Sequence, residues 1–240
     1  MSELALTKSE QQALALIEQE ELAQSAEGIQ IQPVRYKINK DTQQFVDPFG
    51  QAHDELRGVI VYKEIARGHW QEGDNVPLCT SIGGTVGADR ENHKHDCSKC
   101  KANEWGSGKG GSGKACKEMR RIYLVQRGGF LPLMLSLSPT SIKLFDAYIS
   151  GRIQQRIPDI MAETVFKLVP DKSDQGNFVY AVIKCQLGAR ITDVGELMEL
   201  RSIREKMRQA AAQMAVSDAD YSTEQPGVAP AEAPQAGDVF

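Results

Sequence analysis

Residues 97–100 read Cys97-Ser98-Lys99-Cys100, a CxxC stretch near the middle of the chain. One further cysteine stands on each side of it, at Cys79 and at Cys116. A two-residue spacer lets two thiolates point at one tetrahedral ion, with Zn–S distances of roughly 2.3 Å. The outer cysteines are close enough in sequence to supply the other two ligands. The pattern predicts a structural zinc site held by Cys79, Cys97, Cys100 and Cys116.

Two histidines beside the CxxC stretch leave the ligand set open, because His93 or His95 could replace one cysteine. A shell of four protein ligands has no open position, so the ion would support the fold and would not activate water. Such an ion contributes about 10–16 kcal/mol in small zinc modules, enough to order a glycine-rich segment. We expect the fifth cysteine, Cys185, to be a buried thiol.

Composition is that of a soluble globular protein. The chain has 240 residues, of which 41% are hydrophobic and 25% are charged, and this length allows one or two domains with a real core. No apolar run approaches the roughly 20 residues of a membrane span, and the N-terminus lacks the basic and apolar regions of a signal peptide. We therefore expect no membrane partner and a cytoplasmic location, where a CxxC with flanking cysteines favours zinc over disulfides.

Charge is segregated along the chain. Residues 1–27 and residues 209–240 each carry a net charge of −5, so residues 28–208 carry +6. Within this basic body, residues 89–121 contain nine Lys or Arg and five Asp or Glu. A basic body between acidic ends indicates a polyanionic partner.

Hydrophobic periodicity predicts a mainly β protein with flanking helices, an α+β fold. Strand patterns cover residues 33–38, 56–65, 121–126, 131–135, 160–169 and 177–190, and a helix starts at Pro139. A five-stranded barrel with a helix between its third and fourth strands is the OB-fold order. We predict an acidic helix in 1–28, an OB-fold core in 29–191 with the zinc-binding module inserted at 79–116, a C-terminal helix in 192–216 and a disordered acidic tail in 217–240.

Cations and aromatic residues occur together through the basic body, a combination typical of single-strand binders, in which bases stack on rings. For any one ring, packing in the core is the competing interpretation. The candidate DNA-binding residues are Arg35, Tyr36, Tyr62, Lys63, Arg67, Trp70, Lys99, Lys101, Trp105, Lys109, Lys114, Arg120, Arg121, Arg127 and Phe130.

Other functions have weaker patterns. Residues 108–114 match the spacing of a P-loop, but Ala115 stands where Ser or Thr would hold magnesium. An enzyme such as an NTPase or a zinc nuclease needs a complete P-loop or an open metal site, so we expect a protein that is not an enzyme. A zinc-ribbon regulator of duplex DNA and a module that binds a replication protein remain alternatives, although no helix-turn-helix pattern supports the regulator.

The chain resembles the single-stranded-DNA-binding proteins of tailed bacteriophages and prophages that have a zinc-bearing insertion in an OB barrel and an acidic C-terminal tail. The motifs that carry the resemblance are Pro77-Leu78-Cys79-Thr80-Ser81, Cys97-Ser98-Lys99-Cys100, Asn103-Glu104-Trp105-Gly106-Ser107 and Lys114-Ala115-Cys116-Lys117. The terminal residues Asp238, Val239 and Phe240 are similar to the tip of bacterial single-strand-binding tails, which implies a partner-binding role.

The resemblance implies a protein that coats and protects single-stranded DNA during replication and recombination in a bacterial host cell. It also implies that replication or recombination proteins are recruited through the tail. The T-even phage version has a histidine in its zinc shell and a basic N-terminal arm for cooperative self-binding. Here the shell reads as four cysteines and the N-terminal region is acidic, a departure that argues against cooperative binding through such an arm. The oligomeric state stays open.

Overall fold

The structure is a computed structural model that describes residues 7–25, 32–71, 74, 76–129, 131–172 and 179–216. The chain divides into two units, Met1–Pro33 and Val34–Phe240. In the first unit, helix α1 spans Lys8–Ser25. The Thr7 hydroxyl accepts a hydrogen bond from the Glu10 N–H at 3.4 Å, and the Glu10 carboxylate accepts one from the Thr7 N–H at 2.8 Å. This reciprocal pair is a capping box, which satisfies two donors where the helix begins.

The second unit contains the strands and two helices. The strands are β1 (Val34–Asn39), β2 (Gln44–Val46), β3 (Ala52–His53), β4 (Glu55–His69), β5 (Cys79–Ile82), β6 (Val86–Asp89), β7 (Lys94–Asp96), β8 (Lys117–Val125), β9 (Leu133–Leu137), β10 (Ala162–Lys172) and β11 (Val179–Arg190). The helices are α2 (Pro139–Gln154) and α3 (Val194–Ala211), and short 3₁₀ turns cover Cys97–Lys99, Lys101–Asn103, Lys109–Gly111 and Asp159–Met161. In the part of the chain that is described, no helix is long and apolar enough to cross a membrane.

The strands form one mixed, open sheet. Their hydrogen-bonded order is β3-β2-β1-β9-β8-β4-β5-β6-β7, and β10 pairs with β4 and with β11. The β1 strand runs parallel to β9, with Tyr36 opposite Leu135. Among the described strands, β11 pairs with β10 alone, while β1 occupies the edge of β9 that a returning strand would need to close a barrel. The mainly β class is therefore confirmed, and a closed OB barrel is not seen.

Apolar side chains on both faces of the central strands are buried. On β4, Leu56 and Ile60 belong to a core that includes the apolar side of α2, whereas Val59 and Val61 belong to a second core that includes the apolar side of α3. Successive side chains of a strand point to opposite faces, so each helix covers one of them. The central strands consequently offer little open surface to a ligand.

The segment after α3 is fixed on the sheet by a buried arginine. The guanidinium of Arg121, on β8, donates to the carbonyls of Met214 at 3.1 Å and Ala215 at 2.7 Å, and it lies 3.6 Å from the carboxylate of Glu64. Arg121 has no exposed surface, and a buried cation is tolerated only when acceptors surround it in this way. The predicted C-terminal helix is therefore part of the second unit.

Candidate metal centre and nucleic-acid interface

The four cysteines predicted to bind zinc line one small cavity. Cys79 begins β5, Cys97 begins a 3₁₀ turn, Cys100 follows that turn, and Cys116 directly precedes β8. The cavity has a volume of about 20 Å³, which is room for one particle the size of a water molecule or an ion. The fold thus gathers sulfurs that are far apart in sequence around a space for a single ion.

Strand register explains how these side chains meet. Cys79 lies opposite His69 of β4 and opposite Asp89 of β6, so it is flanked by two strands. On β6, Gly87 lies opposite His95 of β7. A Cβ atom at Gly87 would lie 2.7 Å from Nε2 of His95 and 3.0 Å from Sγ of Cys79. The close approach of these two donors therefore depends on the missing side chain at Gly87.

Two thiols of this cluster, those of Cys79 and Cys116, have raised pKa values. Burial, and then the charges of Cys116, Cys97 and Cys100, raise the pKa of the Cys79 thiol to about 11. Burial also raises the pKa of Cys116 to about 11, although the nearby Arg67 acts in the opposite direction. A bound cation favours the thiolate form, so metal uptake at this cluster would release protons.

Zinc itself stays a prediction. Within the described ranges, no group of three or more Cys, His, Asp or Glu side chains has the arrangement of an assembled metal site. The donor chemistry fits zinc, because thiolate sulfur and imidazole nitrogen are its usual protein ligands in structural sites. The position of Gly87 also fits a metal site, because the missing side chain leaves space directly beside Sγ of Cys79 and Nε2 of His95.

The two candidate histidines occupy different places. His95 lines the cavity, and its Nε2 lies 3.3 Å from Sγ of Cys79. His93 is exposed, with Nδ1 3.1 Å from the Asp89 carboxylate and 3.6 Å from that of Glu91. Of these two alternatives to a cysteine ligand, only His95 lies next to the cysteine cluster.

Asn103 connects the cysteine cluster to the rest of the sheet. Its Oδ1 accepts hydrogen bonds from Nη1 of Arg67 at 2.6 Å and from Nζ of Lys114 at 3.1 Å. Its Nδ2 donates to the Cys97 carbonyl at 2.8 Å. Arg67 in turn pairs with Glu118 of β8 at 2.6 Å. The sequence motif drew attention to Asn103, but only the fold reveals that this amide joins the CxxC turn, β4 and the loop before β8.

The loop of residues 101–115, called the Trp105 loop below, presents one aromatic side chain to solvent. Trp105 is 83% exposed. Behind it, the Ser107 hydroxyl donates to the Ala102 carbonyl at 2.9 Å and accepts from the Ala115 N–H at 3.0 Å. Because these bonds close the loop on itself, the ring is held on an ordered backbone rather than on a free strand end.

The segment of the chain that carries Trp105 is basic. Lys99, Lys101 and Lys109 are exposed in the same segment, and residues 89–121 carry a net charge of +4. Cations beside an exposed ring are what a single strand needs, because the cations attract phosphates while the ring stacks on a base. Five of the predicted contact residues therefore lie together in this module, namely Lys99, Lys101, Trp105, Lys109 and Lys114.

Other predicted cations are engaged in ion pairs. The pairs are Lys63 with Asp159, Arg67 with Glu118, Arg120 with Glu118 and Asp146, and Arg127 with Glu163 and Glu196. Each partner carboxylate reduces the positive charge that the cation offers to a phosphate. We do not count these residues among the main contacts.

A third group of predicted residues is packed inside the protein. Arg121 is fully buried beneath the segment after α3, so it offers no surface to DNA and its prediction as a contact is corrected. Tyr62 is half-buried and stacks on Tyr123 with 5.8 Å between ring centroids. Trp70 packs so closely over Gly68 that a Cβ there would lie 2.1 Å from its ring. For these rings, the competing interpretation of core packing describes the structure better.

The remaining predicted residues add little to a common surface. Arg35 and Tyr36 are half-buried on β1, at the other side of the strand order from the cysteines, and Tyr36 packs against the main core. Phe130, Asp238, Val239 and Phe240 lie outside the described residues, as does the whole tail 217–240. Residues 108–115 lead into β8, whereas a P-loop leads into a helix.

Comparison with known proteins gives no independent guide to function. A scan against protein-family models found no match, and searches of curated proteins and of solved structures found none either. The function must therefore be argued from the site itself.

Proposed function

We propose that this protein binds single-stranded DNA with little sequence preference and coats it, acting as a binding protein and not as an enzyme. The observation that carries the proposal is Trp105, 83% exposed on an ordered loop, in a segment of the chain where Lys99, Lys101 and Lys109 are also exposed. Every base has a π face, so stacking on one ring combined with backbone attraction is tolerant of sequence.

Zinc is the proposed structural cofactor. Cys79, Cys97, Cys100 and Cys116 would hold it, with His95 as a neighbour. The ion would supply no chemistry to DNA, because four ligands close its shell. It would stabilise the turn that begins at Cys97, and through Asn103 it would stabilise the loop that carries Trp105.

We further propose that the core is a variant of the OB barrel. The proposal draws support from the strand pairs β4–β8, β8–β9, β4–β10 and β10–β11, with α2 between β9 and β10. In this variant β1 takes the edge of β9. The acidic residues 217–240 would recruit replication or recombination proteins in a bacterial host cell.

The first experiment compares single-stranded and duplex oligonucleotides of the same length by fluorescence anisotropy, using the purified full chain. We expect clear preference for the single strand and similar affinity for several sequences. Affinity should fall with salt by about 0.7 log units per log unit of salt for each phosphate neutralised. Zinc content per chain is measured on the same preparation.

Equal or tighter binding to duplex would reject the proposal and favour the zinc-ribbon regulator. Absence of binding to both would leave the replication-protein interaction module as the better hypothesis. A single strand bound with strong dependence on sequence would contradict stacking as the main source of affinity, since stacking discriminates poorly between bases.

A further inference from the structure

A second exposed aromatic side chain lies outside the site described above. Phe49 is 88% exposed, so it and Trp105 are the most exposed aromatic residues in the part of the chain that is described. It lies at the tip of the hairpin formed by β2 and β3, residues 44–53, called the Phe49 hairpin below. The ring at this loop tip packs little against the protein, so most of its surface is available to a partner.

The tip is held rigidly by one carboxylate. Oδ1 of Asp47 accepts hydrogen bonds from the N–H groups of Phe49 and Gln51, each at 2.9 Å. The Asp47 N–H also donates to the Gln51 carbonyl at 3.0 Å, and Oδ2 of Asp47 lies 3.2 Å from Nε2 of His53. A backbone fixed before binding loses less entropy when a partner immobilises it, so the tip of the Phe49 hairpin is preorganised for contact.

Local charge argues against nucleic acid as the partner of this hairpin. Residues 41–54 contain three acids and no Lys or Arg. Such a segment repels phosphates, in contrast to the basic surroundings of Trp105. An aromatic anchor with an acidic surround fits a protein surface that offers apolar contact beside cations.

The basic body of the chain, residues 28–208, carries the complementary charge. Outside residues 41–54, the rest of residues 28–208 has a net charge of +9. The Phe49 hairpin is at one end of the strand order, and the strands of the cysteine module, β5 to β7, are at the other. A contact between different surfaces of two copies is head-to-tail, and such contacts propagate in a line unless the rotation closes a ring.

We propose that the Phe49 hairpin docks on a cation-rich surface of a second copy of this chain. Copies joined in this way form a linear array, which is the arrangement that neighbours on one single strand require. The role along DNA rests on the proposed function, whereas the contact between copies does not. Attraction between opposite charges guides the contact, and burial of the Phe49 ring holds it.

The test uses the full chain and three variants. Phe49→Ala removes the anchor, and Asp41→Lys reverses one charge of the acidic segment 41–54, in the turn between β1 and β2 that precedes the hairpin. Ile153→Ala is the matched control, because Ile153 is 70% exposed on α2, outside the hairpin. Sedimentation velocity without DNA, at low and high salt, measures association between copies. Titrations of poly(dT) and of an oligonucleotide that holds one copy measure cooperativity and intrinsic affinity.

We expect the wild type to associate at low salt and to bind poly(dT) cooperatively. Phe49→Ala should reduce both association and cooperativity by about tenfold, as truncation of an anchoring aromatic does. Asp41→Lys should weaken both to a smaller extent. Ile153→Ala should stay within about twofold of wild type. Affinity for the short oligonucleotide should be the same in all four proteins.

Three results would overturn the inference. The first is a wild type that neither associates nor binds cooperatively, and the second is association that Phe49→Ala leaves intact. The third is an equal loss of affinity for the short oligonucleotide, which would make Phe49 a DNA contact. If no variant binds DNA but Phe49-dependent sedimentation remains, the proposed function fails while the contact between copies stands.

Discussion

The Phe49 hairpin and the Trp105 loop use the same structural device with opposite charge. Each presents one aromatic side chain, 88% and 83% exposed, on a backbone closed by hydrogen bonds from a nearby side chain. In one the side chain is Asp47, and in the other it is Ser107. Around Phe49 the chain is acidic, and around Trp105 it is basic. We propose that each exposed ring is a contact site and that the surrounding charge selects its partner.

The two regions also differ in what supports them. The tip of the Phe49 hairpin is held by local bonds of Asp47, and its strand β2 pairs with β1. The Trp105 loop depends on remote groups, because Asn103 connects it to Arg67 and to the CxxC turn. This difference predicts that one treatment, loss of the metal, disables one contact site and spares the other.

The largest effect should follow from Cys97→Ser or from treatment with a strong chelator. Structural zinc contributes about 10–16 kcal/mol in small zinc modules, so its loss should disorder residues 79–116 and abolish tight binding to single strands. Hydrogen exchange should become fast in that segment, while the Phe49 hairpin keeps its protection and its association between copies. The measurements are zinc content, hydrogen exchange and oligonucleotide affinity.

Cys185→Ser is the control for that experiment. Burial raises the pKa of Cys185 to about 12, so this thiol should neither bind zinc nor react readily with alkylating agents in the folded protein. A Cys97→Ser protein that keeps an ordered module and full affinity would contradict the structural role of zinc.

Trp105→Ala should have the second-largest effect. Stacking of one base on an aromatic ring contributes about 1–3 kcal/mol, so affinity for a short oligonucleotide should fall by roughly ten- to a hundredfold. Cooperativity should not change, in contrast to Phe49→Ala. Trp70→Phe is the matched variant. Because Trp70 packs over Gly68, its indole fluorescence in the wild type should be quenched little when DNA binds. Wild-type affinity in Trp105→Ala would remove the observation on which the proposed function depends.

Asn103→Ala should produce a smaller loss of stability, and the Trp105 loop should be affected first. It leaves Arg67, Lys114 and the Cys97 carbonyl each without one hydrogen bond, at a cost of about 1–3 kcal/mol for groups that are partly buried. Asn103→Asp keeps the Oδ1 acceptor and loses only the bond to Cys97. If thermal unfolding and exchange in residues 101–115 are unchanged in both variants, Asn103 does not couple the loop to the cysteines.

Periodicity was sufficient to predict most elements of the second unit. The helix from Pro139, the strands on either side of it and the α3 helix appear where the sequence predicts them. Closure of the barrel was not predictable, because it depends on which strand takes the edge of β9. That edge is taken by β1 in a parallel pair, and no local pattern in either segment specifies a pairing across about a hundred residues.

The cysteine cluster was predictable, because the spacing of the cysteines along the sequence determines it. The DNA-contact residues were not, because they depend on which side chains are buried. The CxxC stretch and its flanking cysteines pointed to four side chains that line one cavity. The sequence does not show which face of a strand a cation or ring occupies, so it does not separate the buried Arg121 and the partly buried Trp70 from residues that reach the surface. The stretch Asp47-Pro48-Phe49-Gly50 is typical of a turn, but turn residues indicate the bend and not the exposure of the ring.

The smallest effect concerns the bonds that hold the tip of the Phe49 hairpin. Partial burial would raise the pKa of Asp47, but bonds from the N–H groups of Gln51 and Phe49 and from His53 outweigh it, so the pKa lies below the ordinary value of 3.8. A lowered pKa means that the carboxylate stabilises the hairpin at neutral pH and that this contribution is lost as pH falls through the lowered value.

Asp47→Asn keeps an oxygen for both N–H groups but removes the charge, and Asp47→Ala removes both. In the wild type, amide shifts of Phe49 and Gln51 measured by NMR should titrate below pH 3.8, and in either variant this titration should disappear. At neutral pH, Asp47→Ala should weaken association between copies and leave Trp105-dependent affinity unchanged, because the two regions share no bond. Weaker binding to the short oligonucleotide in Asp47→Ala would show that the hairpin and the Trp105 loop serve one partner, and the contrast between them would fail.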